Sequence, residues 1–318
     1  MDILEEFANW LVFRVLSVQK ESVLGEVIAY FVYDVIKVIL LLAVMVFLIS
    51  IVRTFVTPQK VRSWLGGKRE GVGNVLAALL GIPTPFCSCS AVPLFIGLIE
   101  AGVPLGVTFS FLIASPLINE VAAVLLLALF GWKIALLYIA SGLVVAVIAG
   151  VMIGRMKLEG EVEEFVYKVH AQKLEEEKMS WKERIDFAKE QMLDITKRVA
   201  PYIIVGIALG ATIHGYAPEN FLVGIASKSN VFAVPVAVAV GIPLYSNAAG
   251  MIPVVEALME KGVALGTALA FMMSVTALSL PEMIILRKVL KPKLIAVFVG
   301  ILFIAFTLTG LLFNALVG

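Results

Sequence analysis

Ionisable side chains are scarce in this sequence. Of 318 residues, 15% are Asp, Glu, Lys or Arg, histidine occurs twice and cysteine twice. A soluble domain is about a quarter charged, so a conventional water-facing surface is excluded for most of the chain. Cys87 and Cys89 are too few for a disulfide framework and are not spaced as the Cys-x-x-Cys of thioredoxin-like proteins. Two thiols are also too few for a closed zinc site. No Gly-x-x-x-x-Gly-Lys-Ser/Thr loop is present. Direct ATP coupling would therefore need a partner to supply it. No haem, flavin or quinone pattern is visible, and no cofactor is expected. The N-terminus carries Asp2, Glu5 and Glu6 where a signal peptide is basic, and it lacks a small-residue cleavage site.

What is abundant is apolar. Hydrophobic residues make up 61% of the chain, and the mean hydropathy is +1.02. Val35–Val56, Ile134–Ile153, Val199–Ile213 and Leu294–Leu312 are apolar runs of helix length. They are not the alternating ten-residue segments of an outer-membrane barrel. The expectation is an all-α, polytopic protein, multi-pass in the cell membrane. Residues 3–18 have an amphipathic pattern interrupted by Arg14, which suits an interfacial helix. A net charge of +1 says nothing about partners. Membrane lipid and a small-molecule or ion substrate are expected, nucleic acid is not, and a homo-oligomer is left open.

The chain repeats itself at an offset of 160. Gly81-Ile82-Pro83 returns as Gly241-Ile242-Pro243, Pro93 as Pro253, Glu100 as Glu260 and Gly106 as Gly266. Between 81–111 and 241–271, 11 of 31 positions are identical without a gap. Lys37 and Pro58 recur as Lys197 and Pro218. A fixed period across a membrane chain points to a carrier built from two copies of one unit.

Each unit contains segments too short and broken to be ordinary spans. Gly71–Ile82 reaches about 18 Å as helix, partway across a hydrocarbon core of about 30 Å. Pro83, Pro85 and Pro93 follow within eleven residues, then a second short helix over Ala91–Glu100. This reads as a re-entrant hairpin, whose irregular tip is tolerated only against protein or a wet cavity. The following segment, Leu105–Phe130, is broken at Ser115-Pro116. The second copy repeats the plan with short helices at 232–242 and 251–261 and a break at Ser279-Leu280-Pro281. Each repeat is thus one full span, a hairpin, a broken span and one full span. The division is 1–30, an interfacial helix; 31–155, repeat 1; 156–193, a charged helical linker; and 194–318, repeat 2.

Three crossings per unit require the copies to face opposite ways, and the charges agree. Loop 53–69 holds five Lys/Arg where 213–229 holds only Lys228. Loop 131–133 holds only Lys133 where 287–293 holds Arg287, Lys288, Lys291 and Lys293. The basic side swaps between copies, as the positive-inside rule requires of an inverted repeat. Residues 53–69, 155–198 and 287–293 are then cytoplasmic. The linker reads as a solvated helical tether, with a regulatory role as the alternative.

The hairpin tips are the candidate site. The first offers Pro85, Cys87, Ser88, Cys89 and Ser90, and the second Tyr245, Ser246 and Asn247. Discontinuous helix ends near the midplane form substrate sites in such carriers. The serines have a simpler reading as helix caps. The cysteines could be small buried hydrophobes, a soft metalloid or copper(I) contact, or a redox pair. Asn119 adjoins the first break. Glu120 and Glu282 follow the two breaks and are candidates to bind a proton or coupling ion. Ser279-x-x-Glu282 also fits a capping box.

The string Thr84-Pro-Phe-Cys-Ser-Cys-Ser90, with Val92-Pro-Leu-Phe95, Gly102-Val-Pro-Leu-Gly106 and Ala114-Ser-Pro-Leu-Ile-Asn119, resembles the predicted-permease family that includes the ArsP-like organoarsenical efflux permeases. The resemblance covers roughly residues 30–315. It implies a plasma-membrane permease and, for the characterised members, export of trivalent organoarsenicals, with Cys87 and Cys89 as thiol contacts. The arsenical exporters place a cysteine in the second tip, where this chain has Tyr245-Ser246-Asn247. The expected function is a secondary permease for a small polar or soft solute, coupled to protons or another ion. The alternatives are a membrane thiol oxidoreductase using Cys87 and Cys89, or a passive channel.

Overall fold

The structure is a computed structural model. It describes residues 3–15, 23–53, 71–82, 88–100, 102–118, 120–163, 180–216, 232–244, 248–260, 262–287 and 289–317. Among them the chain is helical, with one isolated β-bridge and no strand. The α-helices are α1 (Ile3–Asn9), α2 (Val23–Arg53), α3 (Val72–Gly81), α4 (Ser88–Glu100), α5 (Leu105–Leu117) and α6 (Glu120–Arg155) in the first half. The second half holds α7 (Trp181–Tyr216), α8 (Ala233–Gly241), α9 (Ala248–Glu260), α10 (Leu265–Ala277), α11 (Leu280–Leu286) and α12 (Pro292–Val317). Among the described residues, three stretches are long and apolar enough to cross a membrane: Ala122–Arg155, Leu265–Leu286 and Pro292–Leu316. The molecule is an all-α membrane protein.

The 160-residue period is a period of packing as well as of sequence. α4 and α9, and α5 and α10, have matching bounds at that offset. Every residue of α5 and of α10 is buried. A helix apolar and enclosed on all sides belongs at the centre of its bundle, and these two touch each other.

The glycines show how tightly the neighbouring helices approach. A Cβ on Gly81 would meet Phe111 O at 3.3 Å and Ala114 Cβ at 3.3 Å. A Cβ on Gly241 would meet Phe271 O at 3.2 Å and Ser274 Cβ at 2.8 Å. A Cβ on Gly150 would collide with Ser110, Gly106 and Asn74; on Gly310 it would collide with Ala270, Gly266 and Val234. Every partner in these sets is shifted by 160. Small residues at such crossings let backbones approach, the usual basis of helix association in lipid.

Side-chain amides pin each set, a buried one in the first half and a half-buried one in the second. Asn74 Nδ2 donates to Gly106 O (3.0 Å) and Ser110 Oγ (2.9 Å), tying α3 to α5. In the second half the amide comes from the other partner helix. Asn314 on α12 accepts from Gly266 N (2.8 Å) and donates to Thr267 Oγ1 (3.1 Å).

Several boundaries differ from the sequence expectation. The short helices begin at Ser88 and Ala248, not Ala91 and 251, and carry Pro93 and Pro253 inside them. A proline near a helix start removes only one hydrogen bond, so it did not set the boundary. The first break follows Leu117: Ser115 and Pro116 stay in the last turn of α5. The second falls at Leu278–Ser279, and Pro281 sits in the first turn of α11. The N-terminal pattern splits into α1 and a π-helical turn, Trp10–Val15, that contains Arg14. α6 is two helices that meet at Gly131, whose backbone is non-helical (φ 79°, ψ 169°), at the start of the expected turn 131–133. That position matches Lys291 in the turn between α11 and α12.

α7 is one 36-residue helix that carries the charged connector into the apolar stretch from Val199, and it packs along α2. Its start is a capping box. Ser180 N donates to Glu183 Oε2 (2.7 Å), and Glu183 N donates to Ser180 Oγ (3.4 Å). These bonds hold the Glu183 carboxyl below its ordinary pKa.

The halves are also joined outside the bundle. Residues 159–163, which follow α6, lie antiparallel to the turn before α12. Val162 bridges Leu290. Glu163 N donates to Val289 O and Lys291 N to Glu161 O, both at 2.8 Å. Arg287 pairs with Glu163 and Lys293 with Glu161, each at 3.4 Å.

Candidate substrate-path site

α4 packs against α11 of the other half, and α9 packs against α6 of the other half. α4 begins with Ser88, Cys89 and Ser90, and α11 carries Glu282. α9 is the matching helix of repeat 2, and α6 begins with Glu120. α8 and the turn after it are held to α10 and to the start of α11. Leu280 N donates to Ile242 O at 2.9 Å, and Ser274 Oγ donates to Val238 O at 2.7 Å. In repeat 1 the place for a Cβ on Gly81 lies 3.1 Å from Ser115 N.

Of the expected site residues, Pro85, Cys87, Asn119, Tyr245, Ser246 and Asn247 lie outside the described residues. Ser88, Cys89 and Ser90 form the first turn of α4 rather than part of a loop, so their backbone N–H groups belong to a helix start. Glu120 is the first residue of α6. Glu282 is 1% exposed, in the first turn of α11. Among the described residues no group of three His, Cys, Asp or Glu side chains could hold a metal ion.

The Ser-x-x-Glu motif occurs twice in the chain, and only the solvated copy closes as a capping box. Ser279 makes no side-chain cap bond. Its backbone oxygen accepts from Met283 N at 3.2 Å. Its hydroxyl is buried and has no hydrogen-bond partner among the described residues. Capping therefore does not account for Ser279 or Glu282 at the break.

Two groups escaped the sequence reading. Tyr138 is wholly buried, and its hydroxyl donates to Leu117 O at 3.2 Å, closing the carbonyl end of α5 at the first break. A tyrosine inside an apolar run gives no sequence signal of that role. Glu256 is exposed on α9, at the address of Ile96 in the first copy. A carboxylate in the middle of a short apolar helix was the signal that could have found it.

The family of predicted permeases matches residues 23–315. The chain belongs to that family. UPF0718 protein MJ0584 of Methanocaldococcus jannaschii is 21% identical over 295 residues, covering 75% of this chain and 81% of the archaeal protein. UPF0718 protein YraQ of Escherichia coli K12 is 26% identical over 235 residues, covering 73% of this chain and 66% of the bacterial one. No solved structure gives a significant match. The chain's apolar helices agree with a membrane permease.

Proposed function

We propose that this permease is a secondary transporter of the plasma (inner) membrane. A small polar or soft solute passes through a midplane site between two re-entrant hairpin tips, by alternating access of two inverted repeats. The observation that carries the reading is the crossed packing of α4 on α11 and α9 on α6. Contact between helices of the two halves supports an arrangement in which discontinuous helices line a substrate site. The swap of basic loops supports inversion. The contact of 159–163 with 287–293 supports it further, since both segments are cytoplasmic in that scheme.

Cys87 and Cys89 with Ser88 and Ser90 would supply one wall, and Tyr245, Ser246, Asn247 and Asn119 the other. A trivalent arsenical bearing one carbon substituent has two remaining bonds, which two thiolates can fill. Efflux of such organoarsenicals is the specific form of the proposal. Glu282, and Glu120 across the pseudo-axis, would carry the coupling ion.

Phenylarsine oxide is expected to raise the unfolding midpoint of the purified protein. Stabilisation reaches about 2.7 kcal/mol at a hundredfold excess over the dissociation constant, and Cys87→Ser with Cys89→Ser should remove it. No shift with this arsenical, soft metals, sulfur compounds or oxyanions would remove the case for a solute site.

A further inference from the structure

The two halves are stitched together where the connector leaves α6. Val162 and Leu290 face each other in an antiparallel bridge. It is flanked by the bonds from Glu163 N to Val289 O and from Lys291 N to Glu161 O, both at 2.8 Å. Lys291 Nζ donates to Gly160 O at 2.9 Å. Val162, Val289 and Leu290 are buried and belong to the main apolar core. The ion pairs of Glu163 with Arg287 and of Glu161 with Lys293 are partly exposed. Such pairs contribute little and are screened by salt, so the clasp rests on backbone bonds and apolar burial. It binds the end of α6 to the turn before α12, and these two helices also touch in the bundle. α5 meets α6 at Gly106 and Gly150, α10 meets α12 at Gly266 and Gly310, and none of the four has room for a Cβ. Phe109 of α5 meets Phe298 of α12, the residue 160 positions after Tyr138, with ring centroids 5.4 Å apart. These four helices are interlocked across the two halves.

α2 and α7 make a second unit. They come from opposite halves and pack along each other. Among the described residues they reach the rest of the bundle chiefly through α4 and α11. α4 touches both α2 and α5. α11 touches α7 and runs through the turn after it into the clasp. We infer that the clasp is a fixed joint, closed at every stage of the transport cycle, and that the moving units of this permease are not its two repeats. One unit is α5, α6, α10 and α12. The other is the α2–α7 pair, and the seam between them runs through α4 and α11. Many carriers work by rocking one rigid bundle against another, and a close-packed interior transmits strain rather than absorbing it. A boundary between the repeats would have to break the clasp and part Phe109 from Phe298 in every turnover. A boundary along α4 and α11 breaks neither contact.

The assignment of motion rests on the permease reading; the joint itself does not. Val162 and Leu290 are the pair between the two backbone bonds. Opposed Cα atoms at such a position stand about 4.5 Å apart, inside the span of about 4.4–6.8 Å that a disulfide bridges. Val162→Cys with Leu290→Cys is oxidised with glutathione disulfide, and the new bond is mapped by mass spectrometry. Uptake of phenylarsine oxide into proteoliposomes is then compared with that of wild type treated identically. The oxidised variant is expected to match that reference. Uptake lost on oxidation and regained on reduction would show that the clasp must open, and would overturn the inference. So would failure of the disulfide to form. Hydrogen exchange on the wild-type protein is the second measurement. The backbone amides of Glu163 and Lys291 should exchange slowly, at one rate with and without the arsenical. Exchange as fast as an open chain, or quickened by the arsenical, would overturn the joint. Uptake absent in both redox forms of the variant would mark a damaged core, and exchange in the wild type then decides. Wild type that moves none of the solutes tested would sink the permease reading alone; slow exchange at both amides would still leave the joint standing.

Discussion

Replacing Glu282 with glutamine is expected to abolish gradient-driven accumulation of substrate while leaving downhill exchange. The residue is 1% exposed in the first turn of α11, which touches the hairpin helix α4 of the other repeat. Glutamine keeps the volume and removes the charge that would hold an ion. Coupling between two ligands is typically worth 1–3 kcal/mol, so accumulation should fall by about 5–150-fold. Exchange of labelled for unlabelled solute needs no net ion movement and should persist. Vesicles carrying Glu282→Gln, with an imposed ion gradient, measure both quantities. Undiminished accumulation would take Glu282 out of the coupling step. Glu120→Gln tests the partner group in the same assay.

Gly150→Ala should be the most damaging single-methyl addition described by this fold. The new Cβ would overlap Ser110 Oγ, lie 2.5 Å from Gly106 O and 2.9 Å from Asn74 Nδ2. None of these is the loose end of a flexible chain. All three atoms belong to the amide network that ties α3 to α5. Overpacking typically costs about 1–3 kcal/mol, and a broken buried hydrogen bond adds about 1–3 kcal/mol. The loss is expected at about 3 kcal/mol or more, read as a lower midpoint of reversible unfolding in mild detergent. Gly300→Ala is the control. Nothing lies within 4 Å of its added Cβ, and in mid-helix the exchange should stabilise by roughly 0.5–1 kcal/mol. Equal midpoints for the two variants would contradict the close crossing of α5 and α6.

The duplicated scaffold was legible in the residues because it is written in glycine and proline. Gly81 and Gly241, or Gly106 and Gly266, recur where backbones touch, and a Cβ fits neither copy. Helix boundaries were less legible. Pro116 read as a break, yet it sits inside a helix, where tertiary packing absorbs one missing hydrogen bond. The two Ser-x-x-Glu motifs were indistinguishable as text. Water at Ser180 lets the box close, while Ser279 is enclosed between helices and does not cap. The difference between the breaks was hidden for another reason. Tyr138 and Phe298 are both aromatic residues in apolar runs, and only the contact of the Tyr138 hydroxyl with Leu117 O separates them. Of the candidate site, the placement of the carboxyls after breaks was visible in the sequence, and the crossing of each hairpin helix onto the opposite repeat was not.

The most direct test of the transporter account is uptake of a phenylarsenical into sealed proteoliposomes containing only this protein. The account predicts saturable, protein-dependent movement that builds a concentration gradient when an ion gradient is imposed, collapses with an ionophore for that ion, and is lost when Cys87 and Cys89 are both serine. Vesicles no more permeable than protein-free liposomes to that arsenical, and to the soft-metal, sulfur and oxyanion solutes tested beside it, would contradict it.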